Sequence, residues 1–242
     1  MTTDLYLHLI IFTAGFTQGF TGFGSALVML PMLTLILDVK TVVPLVILLG
    51  ICINVILSLR VGRYIMWKRI RVLFIASIPG IFCGVSILRA ASANILQMII
   101  GLVLIVFPAY LMFKGIPDRD LAPGWSWPVG FLSGVLSGSI SAGGPPVIVY
   151  TAMQPWGKIP IKSTLVGFFL LTSLAAGAVQ AGNGLMTARV LHLLAAGLPA
   201  VVTGVLAGSW LFEKVNSERY RNALYFLLIL LGVLMLVKAF AN

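Results

Sequence analysis

Gly134-Val135-Leu136-Ser137-Gly138-Ser139-Ile140-Ser141-Ala142-Gly143-Gly144-Pro145-Pro146 interrupts a hydrophobic segment that covers residues 127–156. Glycines, hydroxyls and adjacent prolines in this density do not suit an unbroken membrane helix. A stretch of the same kind lies near the start of the chain: Gly15-Phe16-Thr17-Gln18-Gly19-Phe20-Thr21-Gly22-Phe23-Gly24-Ser25, followed by apolar sequence to Pro31. The spacing from Gly15 to Gly134 is also the spacing from Gly19 to Gly138 and from Gly24 to Gly143. The two breaks are a matched pair.

Their surroundings are membrane-like throughout. The 242-residue chain is 60% hydrophobic and 9% charged, far short of the charge a soluble domain carries on its surface. Apolar runs near 20 residues recur along it, each long enough to cross ~30 Å of hydrocarbon. The start does not read as a cleavable signal peptide. Asp4 replaces a basic n-region, and no A-x-A-like site closes the first apolar run. The net charge of +10 reads as loop charge that sets membrane orientation, with no nucleic-acid partner. Cys52 and Cys83 stand alone inside apolar runs, which suits buried hydrophobes and excludes a disulfide framework.

Charged residues divide the chain. A first repeat, 1–113, holds a broken segment at 5–37 and apolar spans at 41–59, 72–88 and 93–113. A polar linker, 114–126, carries Asp118, Arg119, Asp120 and two prolines and marks the boundary between halves. The second repeat, 127–242, holds a broken segment at 127–156 and spans at 163–181, 190–212 and 222–240, with Lys158 and Lys162 marking a loop. The halves agree in detail. Val39-Lys40-Thr41 resembles Ile161-Lys162-Ser163, and Met66, Arg69, Pro79 and Gly84 align with Met186, Arg189, Pro199 and Gly204. Paired halves of this sort are a recurring transporter plan.

Two topologies fit the spans. Each broken segment either crosses once, giving eight crossings and halves of the same orientation, or folds back as a re-entrant hairpin, giving three full crossings per half and inverted halves. Loop charge favours the second. With hairpins, Arg60, Arg63, Lys68, Arg69, Arg71, Lys114, Arg119, Lys158, Lys162, Lys214, Arg219 and Arg221 share the inside, and only Lys40, Arg89, Arg189 and Lys238 fall outside. Simple crossings mix the two sets. The expected fold is an all-α polytopic membrane protein of two inverted repeats with both termini outside. A hairpin made of two short complete crossings leaves the same loops on the same sides.

The breaks are the expected site. Irregular backbone inside hydrocarbon persists only when it is buried in protein or lines a wet cavity. Gly22, Gly24, Gly143 and Gly144 let a ligand approach the backbone closely. Pro145 suits the first turn of a helix, so a helix starts there and, by the repeat, near Ala26. Such N-termini present free N–H groups and a positive dipole end, an anion site. Thr21, Ser25, Ser137, Ser139 and Ser141 add hydroxyl donors, and Gln18 adds an amide. The spacings Gly15/Gly19 and Gly134/Gly138 also match small-residue helix-packing motifs. Asn54, Ser58, Thr172, Ser173, Gln180 and Asn183 are polar residues of the later spans. Asn54 and Gln180 either line the path or bond between helices. His8 and His192 lie near expected membrane surfaces, and the five tryptophans fall near span ends as interfacial anchors. Gly-Gly-Pro-Pro makes the second break look the more open, so it is expected to supply more of the contacts.

With its paired glycine-rich segments opening each half, its apolar run to Pro31, its Ser-Ala-Gly-Gly-Pro-Pro and its basic loop after the second span, the chain resembles the sulfite exporter TauE/SafE family, the toluenesulfonate uptake permeases. The resemblance covers nearly the whole chain. It implies a multi-pass transporter of the bacterial cytoplasmic membrane that moves sulfite, thiosulfate, sulfonates or related organic anions. The first copy departs from the pattern: Gly22-Phe23-Gly24-Ser25 stands where a fuller glycine run is usual, which makes that side bulkier.

Three rival classes are weaker. An enzyme needs a nucleophile–base or metal constellation, and the sequence has no HExxH and no clustered His or Asp; neither metal nor cofactor is expected. A non-transporting assembly subunit has no need of two matching breaks, although a homo-oligomer is compatible with the sequence. A cation or metabolite permease of this architecture is disfavoured because Asp4, Asp38, Asp118, Asp120, Glu213 and Glu218 all fall in termini or loops, leaving no acid mid-span. The expected partners are the bilayer and a small anion.

Overall fold

The computed structural model describes residues 2–113, 122–212 and 217–241. Most of the polar linker (114–121) lies outside these, with Lys114, Arg119 and Lys214. The described residues form α-helices and two single 3-10 turns, with no strand among them. The first half holds α1 (Thr2–Thr21), α2 (Ser25–Thr34), α3 (Val39–Val61), α4 (Trp67–Ala90) and α5 (Ala93–Phe113). The second holds α6 (Ser126–Ile140), α7 (Gly144–Ala152), α8 (Lys158–Gly182), α9 (Ala188–Phe212) and α10 (Ser217–Ala241). Five helices (α3, α4, α5, α8 and α9) contain stretches long and apolar enough to cross a membrane. The protein is an all-helical, multi-pass membrane protein.

Local chemistry explains the breaks. Gly22 and Gly24 hold φ of 88° and 97°, a left-handed conformation that a side chain disfavours. They end α1 and start α2. In the second half Ser141, at φ 57° and ψ 16°, takes the left-handed position after α6. Its N–H donates to Ser137 O at 3.1 Å, and Ala142 N–H donates to Leu136 O at 3.3 Å. The Ser141 bond is that of an αL ending, here on a non-glycine residue. Helix α8 starts at Lys158, ahead of the expected span, because Pro160 is tolerated in the first turn. Lys162 is therefore helical and not in a loop. Helix α4 likewise begins at Trp67 and takes in Lys68, Arg69 and Arg71.

Packing exchanges elements between halves. Helix α1 lies along α9 and α6 lies along α4, while α3 meets α8 and α5 meets α10. Swapping each helix for its counterpart in the other half leaves these pairings unchanged. The first two seams are glycine-lined. A Cβ on Gly15 would stand 3.0 Å from Val201 O, and one on Gly19 would stand 2.5 Å from Val205 O. From the facing helix, Gly204 and Gly208 abut the Phe12 and Phe16 carbonyls. In the other seam Gly130, Gly134 and Gly138 abut the carbonyls of Leu73, Ser77 and Ile81, while Gly80 and Gly84 abut those of Phe131 and Val135. Hydrocarbon solvent gives no hydrophobic drive between helices, so close backbone approach supplies the association through dispersion.

Helix directions follow from the same contacts. Ile11 and Leu49 both face Gly197, and Gln18 bonds Asn54, so α1 and α3 run the same way with α2 between them. Gly177 faces Ile47 and Ile51, and Gly167 faces Ile65, so α3 and α8 run antiparallel. Lys40 Nζ donates to Arg89 O at 3.2 Å and Arg89 Nη1 to Asn183 Oδ1 at 2.8 Å, while Lys238 Nζ donates to Thr34 O. These cations share one face. At the opposite end Ser163 Oγ donates to Tyr64 O at 2.8 Å, beside the basic stretch from Arg60 to Arg71.

The seams are testable. Gly134→Val drives its side chain into the Ser77 carbonyl, whereas a Cβ added to Gly62 would meet nothing within 4 Å. Gly134→Val is expected to cost about 1–3 kcal/mol and to lower the unfolding midpoint in detergent by several degrees, with Gly62→Ala unchanged.

Candidate functional site

The two breaks face one cavity. It lies halfway along α3 and α8 and has a volume of about 50 Å³. A water needs at least ~10–15 Å³ on this scale, so the space suits a small oxyanion or a few waters. From the first break it is lined by Gln18, Gly24, Ser25, Ala26 and Leu27, and from the second by Ser137, Ser141, Ala142, Gly143, Gly144 and Ile148. Helix α3 adds Val46, Ile47, Gly50 and Asn54, and α8 adds Phe169, Thr172 and Ser173. No lining side chain is charged.

The donors are mostly backbone. Helices α2 and α7 begin at Ser25 and Gly144 and both point their first turns at the cavity, and neither has a side-chain cap bond. The leading N–H groups of a helix have no intrahelical acceptor. For α2 these belong to Gly24, Ser25, Ala26 and Leu27, all lining residues. For α7 the corresponding residues are Gly143, Gly144, Pro145 and Pro146, and proline has no N–H, so only two donors remain. By this measure the first break supplies more of the N–H donors, not fewer. The Pro-Pro that preorganises α7 also removes half of its donors.

Side chains brace the first break. Ser25 Oγ donates to Gln18 Oε1. Gln18 Nε2 donates to Asn54 Oδ1 at 2.8 Å, and Asn54 Nδ2 donates to Gly50 O at 2.8 Å. This buried chain ties α2, α1 and α3 together along the cavity wall. In the second break Ser133 Oγ donates to Gly143 O, and Ser141 Oγ donates to Val43 O at 2.8 Å. That last bond fastens the second break to the first turns of α3.

Of the residues the sequence singles out, Gln18, Gly24, Ser25, Ser137, Ser141, Gly143, Gly144 and Asn54 line this cavity. The others lie elsewhere. Thr21 Oγ1 donates to Thr17 O and Phe23 O. Ser139 Oγ donates to Val135 O at 2.7 Å. Both hydroxyls follow the usual helical habit of bonding a carbonyl one turn back. Gly22 lies against the Lys162 side chain, its Cβ position 2.7 Å from Lys162 Cγ. Pro145 and Pro146 face away into an apolar groove of about 610 Å³, walled also by residues of α5 and α6. Gln180 is fully buried; its Nε2 reaches Gly138 O at 3.4 Å and its Oε1 has no partner. Gly50, Phe169, Thr172 and Ser173 are lining residues that the sequence reading did not assign to the site. Their common signal is position halfway along the span that follows each break.

The two buried amides should respond to apolar replacement by different amounts. Asn54→Leu leaves the Gln18 donor buried and unpaired, at about 1–3 kcal/mol. Gln180→Met removes an oxygen that has no partner together with one long bond to Gly138 O, and is expected to cost less than about 1 kcal/mol. Thermal unfolding of the purified variants in detergent compares them.

Comparison with known proteins agrees with a transporter. The profile of the family described as Sulfite exporter TauE/SafE matches residues 7–235. A protein of Cupriavidus necator (strain ATCC 17699 / DSM 428 / KCTC 22496 / NCIMB 10442 / H16 / Stanier 337), named "Probable sulfite/organosulfonate exporter TauE", is 25% identical over 181 residues, covering 73% of this chain and 71% of that protein. No solved structure matches the chain. A profile match along nearly the whole length fixes the class: the chain is a membrane transporter, not an enzyme, and it belongs to the sulfite exporter TauE/SafE family.

Proposed function

We propose that the protein exports small sulfur-containing anions (sulfite, thiosulfate or organosulfonates) across the bacterial cytoplasmic membrane, and that the anion binds between the N-termini of α2 and α7. The observation that carries this reading is the cavity shared by both helix starts, with uncapped N–H groups on two sides and no carboxylate in its lining. Two converging positive dipole ends favour an anion and disfavour a cation. The sulfite and organosulfonate named for the Cupriavidus necator relative suit this chemistry.

The topology in this reading is two inverted repeats, each a re-entrant hairpin followed by three crossings, with both termini outside. Three features support it. Helices α1 and α3 run in the same direction, which requires α2 to bring the chain back. Counterpart helices α3 and α8 run antiparallel, as a two-fold axis in the membrane plane demands. Helices α2 and α7, of 10 and 9 residues, are about 15 Å long or less at ~1.5 Å per residue, roughly half of the hydrocarbon thickness. The cavity then lies near the midplane, where broken-helix transporters hold substrate.

With no acid in the cavity wall, export follows the membrane potential or the protonation of the substrate itself. An inside-negative potential favours exit of a monoanion by about 2.3 kcal/mol per 100 mV. Radiolabelled sulfite flux in proteoliposomes tests the reading. Flux is expected to respond to an imposed voltage or pH gradient and to fall at least tenfold in Gly24→Leu and in Gly143→Leu. Wild-type flux in both variants would remove the breaks from the mechanism, and indifference to both gradients would reject the coupling.

A further inference from the structure

The lining of the cavity carries no cation, yet a lysine comes within one residue of it. Lys162 lies on the second turn of α8, half-buried, and its Nζ donates to Gly19 O at 3.1 Å. Gly19 adjoins Gln18, whose side chain forms the cavity wall. The aliphatic stem of Lys162 crosses Gly22 so closely that a Cβ there would lie 2.7 Å from Lys162 Cγ. Glycine at position 22 therefore gives the lysine its passage inward as well as the left-handed turn.

The two halves differ here. Val39-Lys40-Thr41 and Ile161-Lys162-Ser163 are counterparts, but Lys40 Nζ goes to Arg89 O on a protein face, not to the second hairpin. Both helix ends are closed by their own backbone, α1 through Gly22 N–H on Gln18 O and α6 through Ser141 and Ala142, but in the second hairpin Gly138 O faces the Gln180 amide. Among the described residues, only the first hairpin is met at its tip by an ammonium from the other half. The carbonyl end of α1 carries partial negative charge beside the intended anion, and the ammonium offsets it.

Position also matters. Ser163 and Thr164, which follow Lys162, bond Tyr64 O and Met66 N, amid the basic stretch that holds Arg60, Arg63 and Arg69. On the other side of the cavity Ile47 joins Ile81, Val85 and Ala176 in a separate apolar cluster. Lys162 thus stands between Gln18 in the cavity wall and the basic stretch from Arg60 to Arg71.

We infer that Lys162 is a substrate-contacting residue, the cation that receives the anion between the basic face and the helix N-termini by exchanging Gly19 O for a substrate oxygen. This rests on the anion-export reading. A lysine can trade acceptors in this way because its ammonium is a compact charge on a flexible stem. Gly19 O, released during the exchange, lies at a helix end where water or a backbone N–H can replace the lysine.

The test compares Lys162→Gln and Lys162→Arg with the wild type in sulfite-loaded proteoliposomes, together with unfolding midpoints in sulfite-free detergent. The expected result is a KM for sulfite raised about tenfold or more in Lys162→Gln, kcat changed less than about threefold, Lys162→Arg within about threefold of wild-type KM, and all three midpoints within about 2 °C. Wild-type KM in Lys162→Gln would overturn the inference and leave the export reading intact. Equal impairment of both variants with lowered midpoints would also overturn it, by making Lys162 only a cap on α1. If the wild type moved neither sulfite, thiosulfate nor an alkylsulfonate, the export reading itself would fall, and the role of Lys162 with it.

Discussion

Backbone placed against backbone is the contact on which the rest of this structure depends. Along α1/α9 and α4/α6, glycines from both partners abut carbonyl groups of the facing helix. Each seam joins the long arm of a broken segment to the opposite half, so neither half can bury its break alone. In hydrocarbon this matters doubly. Free peptide groups at a break cost several kcal/mol each unless protein or water meets them, and the seams bring the protein that meets them.

Once both breaks are held inside, the remaining free polar groups have one place to point. The first turns of α2 and α7 face a shared space whose side chains are small, hydroxylic or amide. The two breaks then solve the same problem by different means. The first uses a left-handed glycine pair, a Ser25–Gln18–Asn54 chain and a lysine from the other half. The second uses an αL ending at Ser141, two prolines and the Ser133–Gly143 bond. The two halves share one scheme of helix pairing but not the polar chemistry of their breaks, so matched packing surrounds an asymmetric lining.

Much of this was readable in the residues. Long apolar runs bounded by charge mark the helices because crossing hydrocarbon allows few alternatives. The breaks stood out because Gly22, Gly24, Gly143 and Gly144 violate the composition of their own segments. Thr21 and Ser139 were indistinguishable in sequence from true lining residues. Which way a hydroxyl turns depends on helical register, and both bond a carbonyl a turn back. Gly50 and Phe169 were hidden for another reason, and Thr172 and Ser173 stood out only as polar residues of a span: all four reach the cavity through the crossing of α3 with α8, a tertiary contact between distant segments. Lys162 read as a loop residue because charge normally ends a span. Its stem snorkels inward along Gly22, and a sequence window does not register that.

The central claim is that both helix N-termini hold one anion between them. The most direct measurement is a structure of the purified protein with a heavy oxyanion such as selenite, read by anomalous scattering. The account predicts one peak within hydrogen-bond reach of the Gly24–Leu27 N–H groups and of those of Gly143 and Gly144. A peak confined to the surface, or to one helix start with the other left capped by protein, would contradict it.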